Sequence, residues 1–413
     1  MTTGAPVLSG ADRQTDLALR TTFRREFTPT WLSLACLLQR HRPPELTRPF
    51  RYLLVGCAHG NTALTVAATH PASCVWAIDE HAELVEDVAC LRDEAELPNL
   101  HVHQCLPADL ADVSINGDPF PDQFDLIVID DMLDSVSEQD RGHLIEMVRR
   151  RLRPGGLACV SYQVLSGWAE LLPLQNFMRL VAERTVGGPA DAFRTAVELL
   201  TQLRSGGALY LSSSPRVSQW LDHLVDVGPD DIAEKFLAGR FHPLSHAEVT
   251  KQFAVAGCSF IGNARLTDDI DHEISPSLRT KITSVEYRPL RETLTDLAVG
   301  RTRRLDLFRR GEAPIDADAT IARLMAIDFV RLTPDEPADT TLTQLPTEGA
   351  RSDSVETVVR SMVQDGIVHP CVVGGPQPDA VEACRRLNAA WLKLSPLQRP
   401  LRAAASVGTA IGG

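Results

Sequence analysis

One stretch limits the folds open to this chain more than any other, Arg51 to Asp79, which reads RYLLVGCAHGNTALTVAATHPASCVWAID. Tyr52-Leu53-Leu54-Val55 is a short apolar run that stops at a glycine, as a buried strand does. Gly56-Cys57-Ala58-His59-Gly60 is the turn, and Thr62 to Thr69 predicts a helix with Leu64, Val66 and Ala67 inward. Cys74 to Ile78 predicts a second buried strand, ending on Asp79. Strand, turn, helix and strand in that order require a right-handed crossover and a parallel sheet. Glycines let a backbone approach a ligand at a helix N-terminus. An acid 19 residues after Gly60, at the end of the second strand, is placed to bind ribose hydroxyls. The unit reads as a nucleoside site, or as an α/β turn with no ligand.

The remaining sequence extends that unit. Leu100-His101-Val102-His103 and Phe124 to Ile129 predict a third and fourth strand. Gln139 to Leu152 predicts an amphipathic helix, broken by Arg153-Pro154-Gly155-Gly156 before a fifth strand over Leu157 to Tyr162. Five strands alternating with helices predict a doubly wound α/β domain. Ahead of it, Thr28-Pro29-Thr30 opens a helix with Trp31, Leu32, Leu34, Ala35, Leu37 and Leu38 on its apolar face. Behind it, Phe177 to Arg184, Ala190 to Arg204, Trp220 to Val225 and Ser245 to Ala256 have helical spacing, and Cys258 to Gly262 predicts a strand. The region from Ser275 to Val381 predicts helices over Asp318 to Met325 and Val355 to Asp365 and a short strand over Ile367 to Pro370.

Composition narrows the function. A net charge of −13 in 413 residues argues against a nucleic-acid backbone as partner. Arg149-Arg150-Arg151 and the arginines of 301–310 are local exceptions; the first set suits a helix C-terminus. The nine cysteines are scattered without a C-x-x-C pair, which predicts reduced thiols, no zinc site and a cytoplasmic protein. No signal peptide is visible, and no apolar run reaches the ~18 residues of a membrane span.

The glycine spacing G-x-x-x-G is not the dinucleotide fingerprint G-x-G-x-x-G, and the chain has no Gly-Lys-Ser/Thr triplet. It resembles the first motif of class I S-adenosylmethionine methyltransferases, as does Leu-Arg-Pro-Gly-Gly before the fifth strand. Ser161-Tyr162-Gln163-Val164-Leu165-Ser166-Gly167-Trp168, Lys235 to Leu244 and Ala256 to Ala264 are similar to segments of methyltransferases that carry a methyltransferase regulatory domain, of which rickettsial outer-membrane-protein lysine methyltransferases are representatives. The resemblance implies a Rossmann-like class I methyltransferase domain, a helical middle domain and a small α+β, winged-helix-like C-terminal domain. The expected division is a lead-in over 1–45, the cofactor domain over 46–165, the middle domain over 166–274, the C-terminal domain over 275–400 and a tail over 401–413. It also implies transfer of a methyl group to a protein or peptide nitrogen, without metal, by a homodimer.

On that resemblance, Gly56, Cys57, Ala58, Gly60 and Asn61 cradle the cofactor, Asp79 and Glu80 meet its ribose, Leu106 flanks the adenine and Asp130 lies at the methionine end. Asp79 is alternatively a helix cap. Tyr162 orients an amine or packs at a strand end. Asp130, Asp131 and Asp134 attract a cationic substrate, hold a divalent metal or cap a solvated loop, with the metal disfavoured. Asp131 joins Tyr162 as a catalytic candidate, and Asp134 and Trp168 as substrate candidates, Trp168 more as a packing residue. His242, His246 and Glu248 have metal-like spacing that equally suits a helix start. The sequence departs from the family pattern at Leu54, where an acid is usual, and at Ala58 and Leu106. Those departures support a second reading, a catalytically degenerate relative acting as a scaffold or partner subunit.

Overall fold

The computed structural model describes residues 23–111, 120–226, 237, 241–266, 274–331, 341–342, 368–371 and 378–393. Its centre is β1 (Arg51–Val55), paired in parallel with β2 (Cys74–Asp79) on one side and β4 (Phe124–Ile129) on the other. The helix α2 (Asn61–Thr69) makes the crossover from β1 to β2. With β3 (Leu100–Gln104), β5 (Leu152–Gln163), β6 (Cys258–Asn263) and β7 (Arg303–Arg310), the sheet runs β3-β2-β1-β4-β5-β7-β6. β7 is antiparallel to both its neighbours.

Alternation along the strands sorts the apolar residues onto two faces. Tyr52, Leu54, Val75, Ala77, Leu126, Val128, Leu157, Cys159, Leu305 and Leu307 share one core with the helix α1 (Pro29–Leu38), α2 and the last helix. Leu53, Val55, Trp76, Ile78, Ile127, Ile129, Val160 and Phe308 share the other with α4 (Glu138–Arg151) and α10 (His246–Val255). α3 (Ala82–Glu94) adds Val88 and Leu91 to the first face. The α1 helix starts as expected, with Thr28 capping the Trp31 amide and Pro29 in the first turn. Trp31 is fully buried and its indole donates to the Ala264 carbonyl at 2.6 Å. The lead-in is therefore a layer of the main domain, not a separate element. The cations closing α4 sit where the helix dipole favours them, and Arg149 and Arg150 both pair with Glu146.

Three expectations are corrected here. First, Arg153-Pro154-Gly155-Gly156 does not separate helix from strand. Phe124 pairs with Leu152 and Leu126 with Leu157, so these four residues are a bulge within β5. Second, residue 274 is not a domain boundary, because β6 and β7 complete the same sheet as β1 to β5. The helical unit is an insertion: α5 (Leu165–Trp168), α6 (Leu172–Ala182), α7 (Pro189–Ser205), α8 (Leu209–Ser213) and α9 (Pro215–Asp226) share a core of their own around Leu174, Met178, Phe193 and Trp220. Its two ends meet, the Leu244 amide donating to Gln163 and the Leu165 amide to Leu244.

Third, the described part of the C-terminal region is not separate from the main domain but packs into its core. After α11 (Pro276–Thr283), α12 (Arg288–Val299), β7 and α13 (Ala317–Leu324), a small sheet forms from β8 (Asp328–Arg331), β9 (Thr341–Leu342) and β10 (Val368–Cys371). The last helix, α14 (Pro378–Lys393), puts Ala383, Cys384, Leu387 and Ala390 into the first face of the main core. Arg386 also donates to the Ala95 carbonyl at the end of α3. The expected helix over 355–365 and the tail over 401–413 lie outside the described residues.

Candidate functional site

Gly56 to Gly60 turns sharply at the C-terminal edge of β1, and three of its residues have left-handed backbone, Gly56 (φ +78°), Ala58 (φ +47°) and Gly60 (φ +71°). Two of the glycines are required sterically. A Cβ on Gly56 would lie 2.4 Å from the Asp130 carbonyl oxygen, and one on Gly60 would lie 2.5 Å from a Val88 methyl. Ala58 accepts the less favourable conformation, and its amide donates to Asp79 Oδ2 at 2.9 Å.

Asp79 closes β2 directly beside this turn. Its other oxygen accepts from the His81 amide at 3.1 Å and its ring Nδ1 at 2.8 Å. Burial would raise the Asp79 pKa, but the bonds from His81 and Ala58 outweigh it and hold the carboxyl below its ordinary value. The carboxylate is ionised, oriented and pinned to the turn. Cys57 and Asn61 are buried on either side of Ala58 and Gly60. Glu80 is half-buried and its carbonyl accepts from Gln104. Leu106 is 53% exposed, and the Cys105 amide before it donates to the Asp79 carbonyl, which sets that apolar side chain at the same edge.

Across the turn stands a cluster of four charged groups. Arg24 Nε lies 3.2 Å from Asp130 Oδ2 and its Nη2 3.5 Å from Asp131 Oδ2. Arg303 Nη2 lies 3.2 Å from Asp130 Oδ1 and 2.8 Å from Asp131 Oδ1. Ser161 Oγ donates to Asp130 Oδ1 at 2.6 Å and accepts from the Asp131 amide at 2.8 Å. Burial pushes the Asp130 carboxyl up against the pull of Arg24 and Arg303, and lowers Arg24 in turn. The amide of Arg24 donates to Thr62 Oγ1, so the segment before α1 lies across the first turn of α2.

Several predicted roles change. Asp131 is held by two arginines and does not stand as a base. Asp134 is fully buried, close enough to Arg141 to support that cation, and its carbonyl accepts from the His242 amide; it does not face a substrate. Tyr162 is also fully buried. Its hydroxyl donates to Asp306 Oδ2 at 2.5 Å, on the face of β5 away from Ser161, so it does not orient an acceptor amine. Trp168 packs, edge-on to Phe241 at 5.0 Å, with its indole donating to Gln163. His246 pairs with Asp306, and Ser245 with Glu248 forms a capping box at the start of α10. Among the described residues no group of three or more His, Cys, Asp or Glu is placed to hold a metal.

Sequence reasoning missed Arg24, Thr62, His81, Ser161 and Arg303. Arg303 had a signal, the arginine run of 301–310. Ser161 stands beside Tyr162, the more conspicuous polar side chain of that segment. Nothing local marks Arg24.

A family model described as a methyltransferase domain matches residues 53–156, and one described as a predicted methyltransferase regulatory domain matches 230–310. An uncharacterised protein of Synechocystis sp. is 24% identical over 313 residues, 76% of this chain and 61% of the relative. An uncharacterised protein of Rickettsia prowazekii is 27% identical over 158 residues, 38% of this chain and 58% of the relative. The chain thus spans less than two thirds of the length of either relative. Among solved structures, PKMT2 from Rickettsia typhi in complex with AdoHcy superimposes with a TM-score of 0.62 at 16% identity, over 94% of this chain and 76% of that one. A second PKMT2 structure gives 0.61. The fold is that of a class I methyltransferase, similar to that of rickettsial PKMT2, and this chain also matches the regulatory-domain model.

Proposed function

We propose that this chain, which carries a class I methyltransferase domain followed by a regulatory-domain stretch, transfers a methyl group from S-adenosylmethionine to a nitrogen of a protein or peptide, with a lysine-like side chain as acceptor. The observation that carries the reading is the Asp79 carboxylate fixed against the Gly56–Gly60 turn at the C-terminal edge of the sheet. That edge is where open α/β sheets bind ligands.

The residues present fit the cofactor. Asp79 is ionised, and Oδ2, which accepts from the Ala58 amide, keeps acceptor capacity for a ribose hydroxyl. The turn lacks side chains at Gly56 and Gly60, so backbone can approach a ligand there. Leu106 offers apolar surface for a purine face. Asp130 and its neighbours would take the amino-acid end. When bound, the cofactor supplies an electrophilic methyl carbon on a sulfonium. The chain's own contribution is to align acceptor and donor, which is catalysis by proximity and orientation. An ammonium acceptor must first lose its proton. Asp130 and Asp131 are held by arginines, so that proton leaves to water rather than to a side chain of the quartet.

The lysine-like acceptor rests on the resemblance to rickettsial lysine methyltransferases, and a homodimer in a cytoplasmic setting is proposed with it. No helix among the described residues is long and apolar enough to cross a membrane. Calorimetric titration with S-adenosylmethionine and S-adenosylhomocysteine tests the cofactor, and transfer of a labelled methyl group to cationic peptides tests the acceptor. Micromolar binding with label on lysine is the expected result. A folded protein that binds neither compound is instead the partner-subunit relative that Leu54 and Ala58 suggest.

A further inference from the structure

The helix dipole favours cations at the end of α4, but it does not require three consecutive arginines there. A cation from β7 already serves the closing carbonyls. Arg310 donates to the Arg149 carbonyl at 2.8 Å and to the Leu152 carbonyl. Arg150 and Arg151 have another common feature. With Arg51, the first residue of β1, they line a cleft whose other walls are Ala111, Asp122 and Gln123.

The cleft measures about 610 Å³, within the roughly 300–1,000 Å³ of small-molecule sites. It lies at the amino edge of the sheet, just ahead of β1, β4 and β5. The glycine turn lies at the other end of β1. That strand rises ~3.3 Å per residue from Arg51 to Val55, so roughly 13 Å of strand separates the two edges. The cleft is therefore distinct from the donor site.

Its lining holds three guanidinium groups and one carboxylate. Arg51 is exposed, and its side chain donates to the Gln123 carbonyl at 3.5 Å. The Asp125 carboxylate is committed elsewhere. Its Oδ2 accepts from the Arg51 amide at 2.7 Å, and its Oδ1 pairs with Arg153. Arg151 lies over the Phe120 ring at 5.3 Å and donates to the Pro121 and Ala111 carbonyls at 3.4 and 3.3 Å. Ring and carbonyls orient a guanidinium and leave its charge in place. Asp122, the one acid in the lining, stands 3.7 Å from Arg151 with its side chain fully in solvent. Arg150 shares Glu146 with Arg149.

We propose that this cleft binds a chain of linked phosphate groups, free or carried by a nucleoside, through Arg51, Arg150 and Arg151. Guanidinium forks match phosphate oxygens, and three of them around one cleft suit an anion with several such groups better than a single phosphate. The net charge of −13 repels a polyanion at long range, so recognition has to come from local contacts in the cleft. This is a second ligand site, and it goes beyond methyl transfer.

Calorimetry on the full chain with orthophosphate, pyrophosphate and ATP, in magnesium-free buffer at constant ionic strength, tests it. The wild type should bind pyrophosphate at least tenfold more tightly than orthophosphate. ATP held more tightly than pyrophosphate assigns the chain to a nucleoside carrier; ATP held no more tightly assigns it to the phosphate groups alone. Arg51→Met and Arg150→Met, both at exposed positions, should each weaken pyrophosphate at least fivefold with an unchanged unfolding midpoint. Arg151→Met should do the same; if it does not fold, the other two decide. Arg194→Met, an exposed arginine of the helical insertion, should leave pyrophosphate within about twofold. So should Asp79→Ala, while Arg51→Met leaves S-adenosylhomocysteine within about twofold. A wild type that binds no pyrophosphate, or binds orthophosphate as well, overturns the proposal. So does unchanged affinity in Arg51→Met and Arg150→Met. A loss in Arg194→Met as large as theirs would reduce the effect to general charge, and a loss of that size in Asp79→Ala would move the anion to the donor site; either overturns it.

Discussion

Arg303 and Arg304 are neighbours on β7 and serve opposite faces of one sheet. Arg303 points to Asp130, Asp131 and Ser161 at the edge that carries the glycine turn. Arg304 points to a sealed cluster of Asp296, Asp306, Tyr162 and His246, each at most 2% exposed, with Glu292 at its margin. In the sealed cluster Asp306 accepts from Arg304, His246 and Tyr162 at 2.5–2.8 Å. Burial would raise the Asp306 pKa, but Arg304 and His246 outweigh it and hold it well below the carboxylate range. At the turn burial prevails and the Asp130 carboxyl is pushed up. The same residue types thus make a sealed structural bolt on one face and a more solvent-accessible cluster beside the glycine turn on the other, and the difference lies in how far solvent reaches the carboxylates.

The largest way to break this comparison is Arg304→Ala. It removes the cation shared by buried Asp296 and Asp306 and by Glu292 at the margin, and should cost about 3–5 kcal/mol of stability. Urea denaturation checks it. A loss below about 1 kcal/mol would mean the two networks do not differ as described. Arg303→Met removes a cation from carboxylates that solvent still reaches, so it should cost less stability than Arg304→Ala.

Tyr162→Phe comes next. It deletes one hydrogen bond to a buried carboxylate and keeps the ring, a loss of about 1.5–3 kcal/mol. Because Tyr162 belongs to the bolt, kcat of methyl transfer by the folded variant should stay within about twofold. A hundredfold drop in kcat with stability intact would return Tyr162 to the acceptor site.

These residues also show how far the sequence could be read. The strands β1 to β5, the turn and Asp79 were legible because their signals are local: apolar runs, glycine punctuation and an acid at a strand end. The insertion helices were legible from their period. β7 was not, because Arg303 to Arg310 reads as a polar surface segment, and partners such as Asp130 for Arg303 and His246 for Asp306 lie far away in sequence. Tyr162 was misplaced for the same reason: its partner Asp306 is 144 residues away. The quartet needs Arg24 and Asp130 side by side, and only the folded sheet supplies that.

Acid titration sharpens the contrast on a third site. His70 lies at the end of α2, edge-on to Phe50 at 5.1 Å, and burial lowers its pKa from 6.5 to about 4. The unfolded chain takes up that proton near 6.5, and the folded chain refuses it until about 4. The stability tied to neutral His70 is thus complete above pH 6.5 and lost as pH falls toward 4, by at most about 1.4 kcal/mol per pH unit. His70→Gln should flatten that slope. Asp306 stays ionised throughout the window, so a slope that survives the substitution would mean the bolt is less securely charged than its contacts imply.

The smallest effect separates binding from folding most cleanly. The Asp79 carboxylate accepts from the turn, through the Ala58 amide, and from His81. Asp79→Ala removes one charge-assisted ribose contact and should weaken S-adenosylhomocysteine at least tenfold, or ~1.4 kcal/mol. Asp79→Asn keeps the shape and one acceptor oxygen, so it should recover part of that loss. Unfolding midpoints of both variants should stay within a few degrees of the parent, since neither sealed cluster is touched. Unchanged affinity in Asp79→Ala would leave the acid as a brace for the turn, and the nucleoside site would lose the residue that anchors it.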